Sequence, residues 1–390
     1  MFKLTSQKTL DTIILLPLLW SFTGLFLYAN GKKLLVVLAL LSIISSIYSY
    51  GVKSIFHNIK SNKLIWVLGA YSIFSLFAKT YYGYSSSLAR GLICLFLFIA
   101  VFPPSLAKKI NIKHLIILGT LTSFIFVTVQ TFILGKGRMW DINPIPYATF
   151  ITSLSVVSFY YLLQSKSLKQ GGLWFITFTA AVIPLLYSQS RGLWLALIIV
   201  IIALTIKTIL NNKKLTYLLI PIMFASAIAY YVSHDKISQR IHQTTIEVEQ
   251  IMKGNLDTSI GLRLQMWKAA LILSQESPLI GLGNTHKIYK EELAQQKIIS
   301  PSVVKFTHYH NQFLSDLVKY GIVGLALLLL SIILPCYYLK KNNNEYTIPG
   351  LSIVAVFVIA SLTDVPFQHA QTLTFYFLTI YLLSLKRVIV

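Results

Sequence analysis

The chain has 390 residues, 55% of them hydrophobic, with a mean hydropathy of +0.69. That is too apolar for a soluble protein of this length, and its recurrent runs of about 20 apolar residues have the length of bilayer-crossing helices. The net charge of +22 invites a nucleic-acid reading, but its distribution along the chain argues against one.

In chain order the apolar runs fall near residues 10–28, 33–50, 63–82, 88–104, 113–134, 145–164, 171–188, 191–210, 214–232, 312–339, 347–363 and 371–386. This predicts an all-α, polytopic transmembrane bundle of about 12 spans. The first run is followed at once by a second and has no small-residue cleavage site, so it reads as a retained anchor. Three regions follow: spans 1–9 (1–232), a helical loop domain (233–310) and spans 10–12 (311–390). With the N-terminus inside, the inner segments carry 17 of the 34 basic residues, whereas the short outer turns carry seven. This is the positive-inside pattern, with both termini cytoplasmic. The basic excess is therefore topological and calls for no nucleic-acid partner. Cys94 and Cys336 both fall in spans and support neither a disulfide framework nor a zinc site.

The segment 233–310 is too long for a plain connection. Helical spacing of Ile237, Ile241, Val248 and Met252, then helices over Gly261–Leu273 and Lys287–Gln296, predict a folded outer domain. It holds seven of the 12 acidic residues, and six of the eight histidines lie on the outer side. No Asp or Glu sits mid-span, so any chemistry belongs at the outer membrane face.

Three constellations could carry it. The first is His310-Asn311 followed by Gly321-x-x-Gly324. On a continuous helix at about 100° per residue, both glycines fall within about 40° of His310, turning it toward packed protein or a cavity. An imidazole there can take a proton from a hydroxyl nucleophile, or it can belong to a polar cap at the water boundary. His308 points elsewhere on that helix and is expected to be solvated. The second is Ser188-Gln189-Ser190-Arg191-Gly192, a tight outer turn whose arginine suits a fixed anion or serves as an interfacial anchor. The third is Ser259-Ile260-Gly261-Leu262-Arg263-Leu264, whose arginine near a helix start could meet an anion or simply cover a surface. Arg90, Lys79, Arg138 and Asp364 are weaker candidates, readable as anchors or helix ends. Trp140, Trp194 and Trp267 read as interface aromatics.

Taken together, the 12 spans, the long outer loop before span ten, Ser-x-Ser-Arg-Gly, Gly-Leu-Arg-Leu, Pro278-x-x-Gly281-x-Gly283 and His-Asn-x9-Gly-x-x-Gly resemble the O-antigen ligases of Gram-negative bacteria, in the Wzy-C superfamily. Agreement covers nearly the whole architecture but rests on about six short stretches, none in the first six spans. The resemblance implies an inner-membrane enzyme that transfers glycan from undecaprenyl pyrophosphate to lipid A-core at the periplasmic face. It implies His310 as the catalytic base and Arg191 and Arg263 as donor-pyrophosphate binders. Arg90 and Lys79 are next in line, and Asn311, Gly321, Gly324 and Asp364 support the site. A pyrophosphate leaving group needs no acid catalyst, and arginines can neutralise it. The expectation is therefore an enzyme needing no metal, nucleotide or other cofactor. An O-antigen polymerase, a protein O-oligosaccharyltransferase and a non-enzymatic polysaccharide-lipid flippase are the alternatives.

Overall fold

The structure, a computed structural model, describes residues 7–83, 85–211 and 219–385. Those residues form helices joined by turns and short loops, without a strand. In order the helices are α1 (Gln7–Phe22), α2 (Gly31–Ser61), α3 (Lys63–Tyr82), α4 (Ser86–Val101), α5 (Pro104–Lys109), α6 (Ile112–Val127, widening into a π-helical turn over Thr128–Ile133), α7 (Pro144–Leu163) and α8 (Leu168–Ser188). Then come α9 (Arg191–Asn211), α10 (Leu219–Met252), α11 (Ser259–Leu273), α12 (His286–Gln295), α13 (Pro301–Val304), α14 (Gln312–Asn342), α15 (Thr347–Ser361) and α16 (Ala370–Leu385).

Their starts are written in the sequence. Asn62, Asn111, Asn143, Ser167, Thr258 and Asn311 each accept a backbone N–H of the helix they precede. Within an apolar medium a helix satisfies its own backbone, which is why long apolar runs take this form. Among the described residues, seven helices are long and apolar enough to cross a membrane, and Ser87–Val101, Thr347–Ser361 and Ala370–Leu385 are shorter apolar ones. The chain is thus a multi-pass membrane protein. Of the 12 expected runs, the one at 214–232 lies partly outside the described residues, and α1 has only 16 residues.

Helix α7 forms the centre, with 17 of its 20 residues buried. Its hydroxyls turn back onto its own carbonyls (Thr152 to Ala148, Ser153 to Thr149, Ser155 to Ile151), leaving small surfaces that let α8, α9 and α15 pack closely. A second, smaller core joins Met266, Ala269, Leu273, Leu293, Val303 and Tyr309 of the 259–310 region to Val318 of α14. Helix α10 runs unbroken across the expected boundary at 232/233.

Helix α14 is broken at Gly321 (φ 62°, ψ −165°). The chain around Pro278–Leu282 crosses this break and takes up its freed backbone groups. Leu282 N donates to Val318 O at 2.7 Å, and Ile322 N donates to Pro278 O at 2.8 Å. A Cβ on Gly281 would lie 2.4 Å from the Lys319 carbonyl carbon, and one on Gly321 would lie 2.3 Å from Leu279 O. The two glycines are halves of one backbone crossing. This corrects the sequence argument for His310. Asn311 caps α14, His310 precedes the helix, and the helix does not continue straight to Gly321 and Gly324.

Candidate active site

His310 sits in the turn between α13 and α14 with φ +45°. A non-glycine residue holds that conformation at a cost of about 1–3 kcal/mol and needs firm surroundings. They are present on both sides. Tyr309 is fully buried, its N–H donating to Ser315 Oγ at 3.0 Å and its hydroxyl 3.1 Å from His286 Nδ1. On the other side Asn311 accepts Leu314 N–H at 3.1 Å and reaches Leu362 O at 3.5 Å. Trp267 Nε1 donates to Tyr309 O at 3.1 Å, so it is a brace for this turn rather than an interface aromatic.

Asp364 lies on the turn between α15 and α16. Its Oδ2 is 3.5 Å from His310 Nδ1, with side-chain exposures of 5% and 15%. His369 Nε2 is 4.0 Å from its Oδ1. Burial pushes the carboxyl up, but the His310 contact and the neighbouring imidazoles outweigh it and hold the carboxyl below its ordinary value. A carboxylate on Nδ1 leaves Nε2 of His310 to act on a substrate. The expected solvation of His308 is overturned. Its ring centroid is 4.3 Å from that of His310, its Nδ1 accepts the His310 N–H at 3.2 Å, and burial together with His310 brings it down to about 3. One ligand atom each from His308, His310 and Asp364 can lie within 4.8 Å of the others, a spacing that a metal ion also fits. Since His308 Nδ1 is occupied by the backbone, only its Nε2 is free to serve.

The turn carrying Asp364 is tied to α14 by a buried network that the sequence reading missed. Gln312 and Gln368 both donate to Asp316 Oδ1, at 2.8 and 2.9 Å, and Phe367 N donates to Gln312 Oε1 at 3.0 Å. Lys319 reaches Gln368 at 3.4 Å. The Gln312/Asp316 pair, one helical turn apart, was the visible signal.

Arg191 opens α9 after a turn in which Gln189 has φ 55°. A Cβ on Gly192 would lie 2.2 Å from Thr363 Oγ1, so the glycine lets α9 start against the Asp364 turn. The guanidinium is already engaged. It donates to Thr244 at 2.8 Å, Glu247 at 3.0 Å and Ser259 at 3.4 Å, while Glu247 also accepts Ile260 N at 3.0 Å. Arg191 thereby joins α9, α10 and the start of α11. Arg263, one turn further along α11, is half-buried and makes no hydrogen bond or ion pair among the described residues. Burial lowers its pKa, partly offset by the charge of Asp364. Arg138 donates to Ser188 O at 2.8 Å, and burial with the charges of Arg240 and Arg191 lowers it. Arg138, Arg191 and Arg240 thus form a cationic group with Glu247 as an acidic neighbour; of the three, only Arg240 was never weighed in the sequence. Arg240 Nε is buried without a partner. Beside them a recess of about 420 Å³ is lined by Arg191, Arg240, Trp194, Ile241 and Val248.

The remaining candidates lie apart from this group. Arg90 lines a different cavity with Lys32 and Lys33. Lys79 is in the last turn of α3, near Gly83, whose carbonyl accepts Asn284 Nδ2. Gly321 and Gly324 act on backbone packing rather than on the His310 ring.

Residues 175–329 match the family described as O-Antigen ligase, Wzy-C. That segment contains Arg191, Arg263 and His310, and the family resemblance carried by the motifs is borne out over it. A protein of Haemophilus influenzae with no named function is 28% identical over 280 residues, 68% of this chain and 70% of its own length. The matched family is of ligase or transferase type, which supports an enzyme of the O-antigen ligase or polymerase kind.

Proposed function

We propose that the chain is an O-antigen ligase of the bacterial inner membrane, with both termini cytoplasmic and the His310 end periplasmic. It transfers glycan from undecaprenyl pyrophosphate to a hydroxyl of lipid A-core. His310 Nε2 takes the proton of that hydroxyl as its oxygen attacks the anomeric carbon. Asp364 holds the ring and stabilises the imidazolium. The bond to undecaprenyl pyrophosphate breaks with inversion, and the electron pair leaves on the phosphate. Arg263 and Arg191 hold the departing pyrophosphate, Arg191 by exchanging part of its contact with Glu247.

The observation that supports this reading most is the unpaired, half-buried Arg263 within electrostatic reach of Asp364, which in turn sits 3.5 Å from His310. A base and a cation without a hydrogen bond among the described residues thus share one acidic neighbour, Asp364, an arrangement suited to an anionic leaving group. The proposed reaction needs no nucleotide, since the donor bond carries the energy. It needs no metal, since the arginines neutralise the diphosphate.

The test is transfer by purified protein supplied with lipid-linked glycan and lipid A-core, with and without EDTA. Glycan on lipid A-core in both conditions supports the ligase. Glycan extended on the polyprenyl lipid indicates a polymerase, and glycan on protein an oligosaccharyltransferase. Movement of unmodified lipid across the bilayer without transfer indicates a flippase. Activity lost to EDTA and restored by a divalent ion assigns His308, His310 and Asp364 to a metal.

A further inference from the structure

The Asp364 turn runs on into Ala370, which lines the cavity that contains Arg90. It has a volume of about 520 Å³ and is formed between α1, α2, α4 and α16. Lys32, Lys33 and Arg90 stand at one end, where α2 and α4 begin, and no acidic residue lines it among the described residues. From there the wall is apolar: Leu35, Val36 and Ala39 on α2, Cys94, Leu95 and Phe98 on α4, Leu378 on α16. Arg90 to Phe98 spans about 12 Å at 1.5 Å per residue, most of the ~15 Å depth of one hydrocarbon leaflet.

The cationic end adjoins the proposed site. Ala370, the first residue of α16, lines the cavity and directly follows His369, and the charge of Lys32 reaches His369. The arginine recess adjoins the same turn through Gly192 and Thr363; its lining residues lie inside the matched segment 175–329, whereas every residue lining this groove lies outside it. A transfer between two membrane-anchored lipids needs two lipid seats beside one base. With the leaving group assigned to Arg191 and Arg263, the second seat is the groove.

We propose that this groove seats an acyl chain of the acceptor, a phosphorylated glycolipid, with its phosphate on Lys32, Lys33 and Arg90. The inference rests on the ligase reading. Lys32, Lys33 and Arg90 gathered at one end suit a head group bearing more than one negative charge, and the apolar wall below suits a chain of the same leaflet.

Cys94 on the groove wall is a built-in reporter, because Cys336 is the chain's other cysteine. In Cys336→Ser protein held in nanodiscs of neutral phosphatidylcholine, alkylation of Cys94 by a membrane-permeant maleimide is timed alone and with each of three lipids. Lipid A-core should slow it about tenfold at near-saturation, while undecaprenyl diphosphate and phosphatidylglycerol leave it near baseline. Adding Lys32→Gln and Arg90→Gln should remove most of that protection. Equal slowing by phosphatidylglycerol makes the groove a cleft for bulk lipid. Slowing by undecaprenyl diphosphate makes it a donor seat, and no slowing leaves it unused; each overturns the proposal. Glycan transfer in the same nanodiscs separates the two claims. Transfer without protection sinks the groove and spares the ligase, whereas protection without transfer does the reverse.

Discussion

At the end of the bundle where the second half of α2 meets the C-terminal ends of α4 and α16, Asn58 is buried and uses all its polar atoms. Its Nδ2 donates to Ile99 O and Ala100 O at 3.0 Å and to Phe102 O at 3.2 Å, and its Oδ1 accepts Tyr381 OH at 3.1 Å. At the His310 end, Nδ1 of His310 has only its 3.5 Å ion-pair contact with Asp364, Oδ2 of Asp316 and Nε of Arg240 are buried without a hydrogen-bond partner among the described residues, and His310 holds a positive φ. Buried polar groups are ordinarily satisfied, and each exception needs an explanation. Asn58 is explained by packing alone, because its bonds close the ends of helices. Hydroxyls without a partner also occur toward the Asn58 end, Ser49 Oγ and Thr379 Oγ1 among them. What distinguishes the His310 end is that its unsatisfied groups are ionisable and stand beside a turn held at positive φ, as a reacting ligand requires. Replacements at the two ends should therefore separate stability from activity.

The largest effect is expected at the base. His310→Ala should lower glycan transfer about 10²–10⁴-fold, the range of general-base catalysis. Melting temperature should fall only modestly, from the loss of the 3.5 Å contact to the buried Asp364 carboxylate, so the loss of transfer should far exceed the loss of folded protein. His308→Ala should be much milder in transfer. Equal activity of His310→Ala and wild-type protein in the purified assay would remove the base from this mechanism.

Arg263 comes next. Arg263→Ala should cost about 10- to 100-fold in transfer at limiting donor, as expected for loss of a charge-assisted contact worth ~1.5–3 kcal/mol. Arg263→Lys should recover only part of it, because an ammonium lacks the planar fork. Arg191→Ala should combine two effects, since Arg191 also joins α9 to α10 and α11. Its melting temperature should fall, whereas that of Arg263→Ala should not. Unchanged affinity of both variants for undecaprenyl diphosphate would place the pyrophosphate elsewhere.

How far the sequence could be read follows the same division. Apolar runs and Asn, Ser and Thr caps are local, so the helical bundle was legible, down to α11 within two residues of its expected start. The motif residues Arg191, Arg263 and His310 were legible as types at positions. Their geometry was not. The angular argument for Gly321 and Gly324 assumed a continuous helix, and only the crossing by residues 278–282 reveals why Gly281 and Gly321 belong together. Glu247 beside Arg191 and Phe367 above Gln312 are separated from their partners by 56 and 55 residues. No period or spacing predicts such pairs. His308 appeared solvated because two residues along a helix turn it away, but it stands in a turn that folds it back over His310.

At the Asn58 end the effect should be structural alone. Asn58→Leu removes the donors of three carbonyls and leaves Tyr381 OH unpaired, a loss of about 2–4 kcal/mol. Melting temperature should fall, while transfer per folded molecule stays at the wild-type level. A loss of transfer beyond the loss of folded protein would mean that the two ends communicate.

The smallest effect concerns pH. His308 is buried neutral and is brought down to about 3 from an ordinary value of 6.5, chiefly by burial and then by His310. Between those values the unfolded chain binds a proton that the folded chain refuses. Stability from this group is thus complete above 6.5 and is lost as pH falls toward about 3. His369 and His286 are lowered by burial in the same sense, and Asp364, also lowered, adds its loss at the acid end. Melting temperature should therefore decline from pH 7 to pH 4, and His308→Gln should make that decline shallower without abolishing it. The same variant should leave the Asn58 end untouched, so hydrogen exchange at Ile99–Phe102 should match wild type at both pH values. An unchanged slope in His308→Gln would show that His308 is hydrated in the folded protein, and that the ring stacked over His310 is not sealed from water.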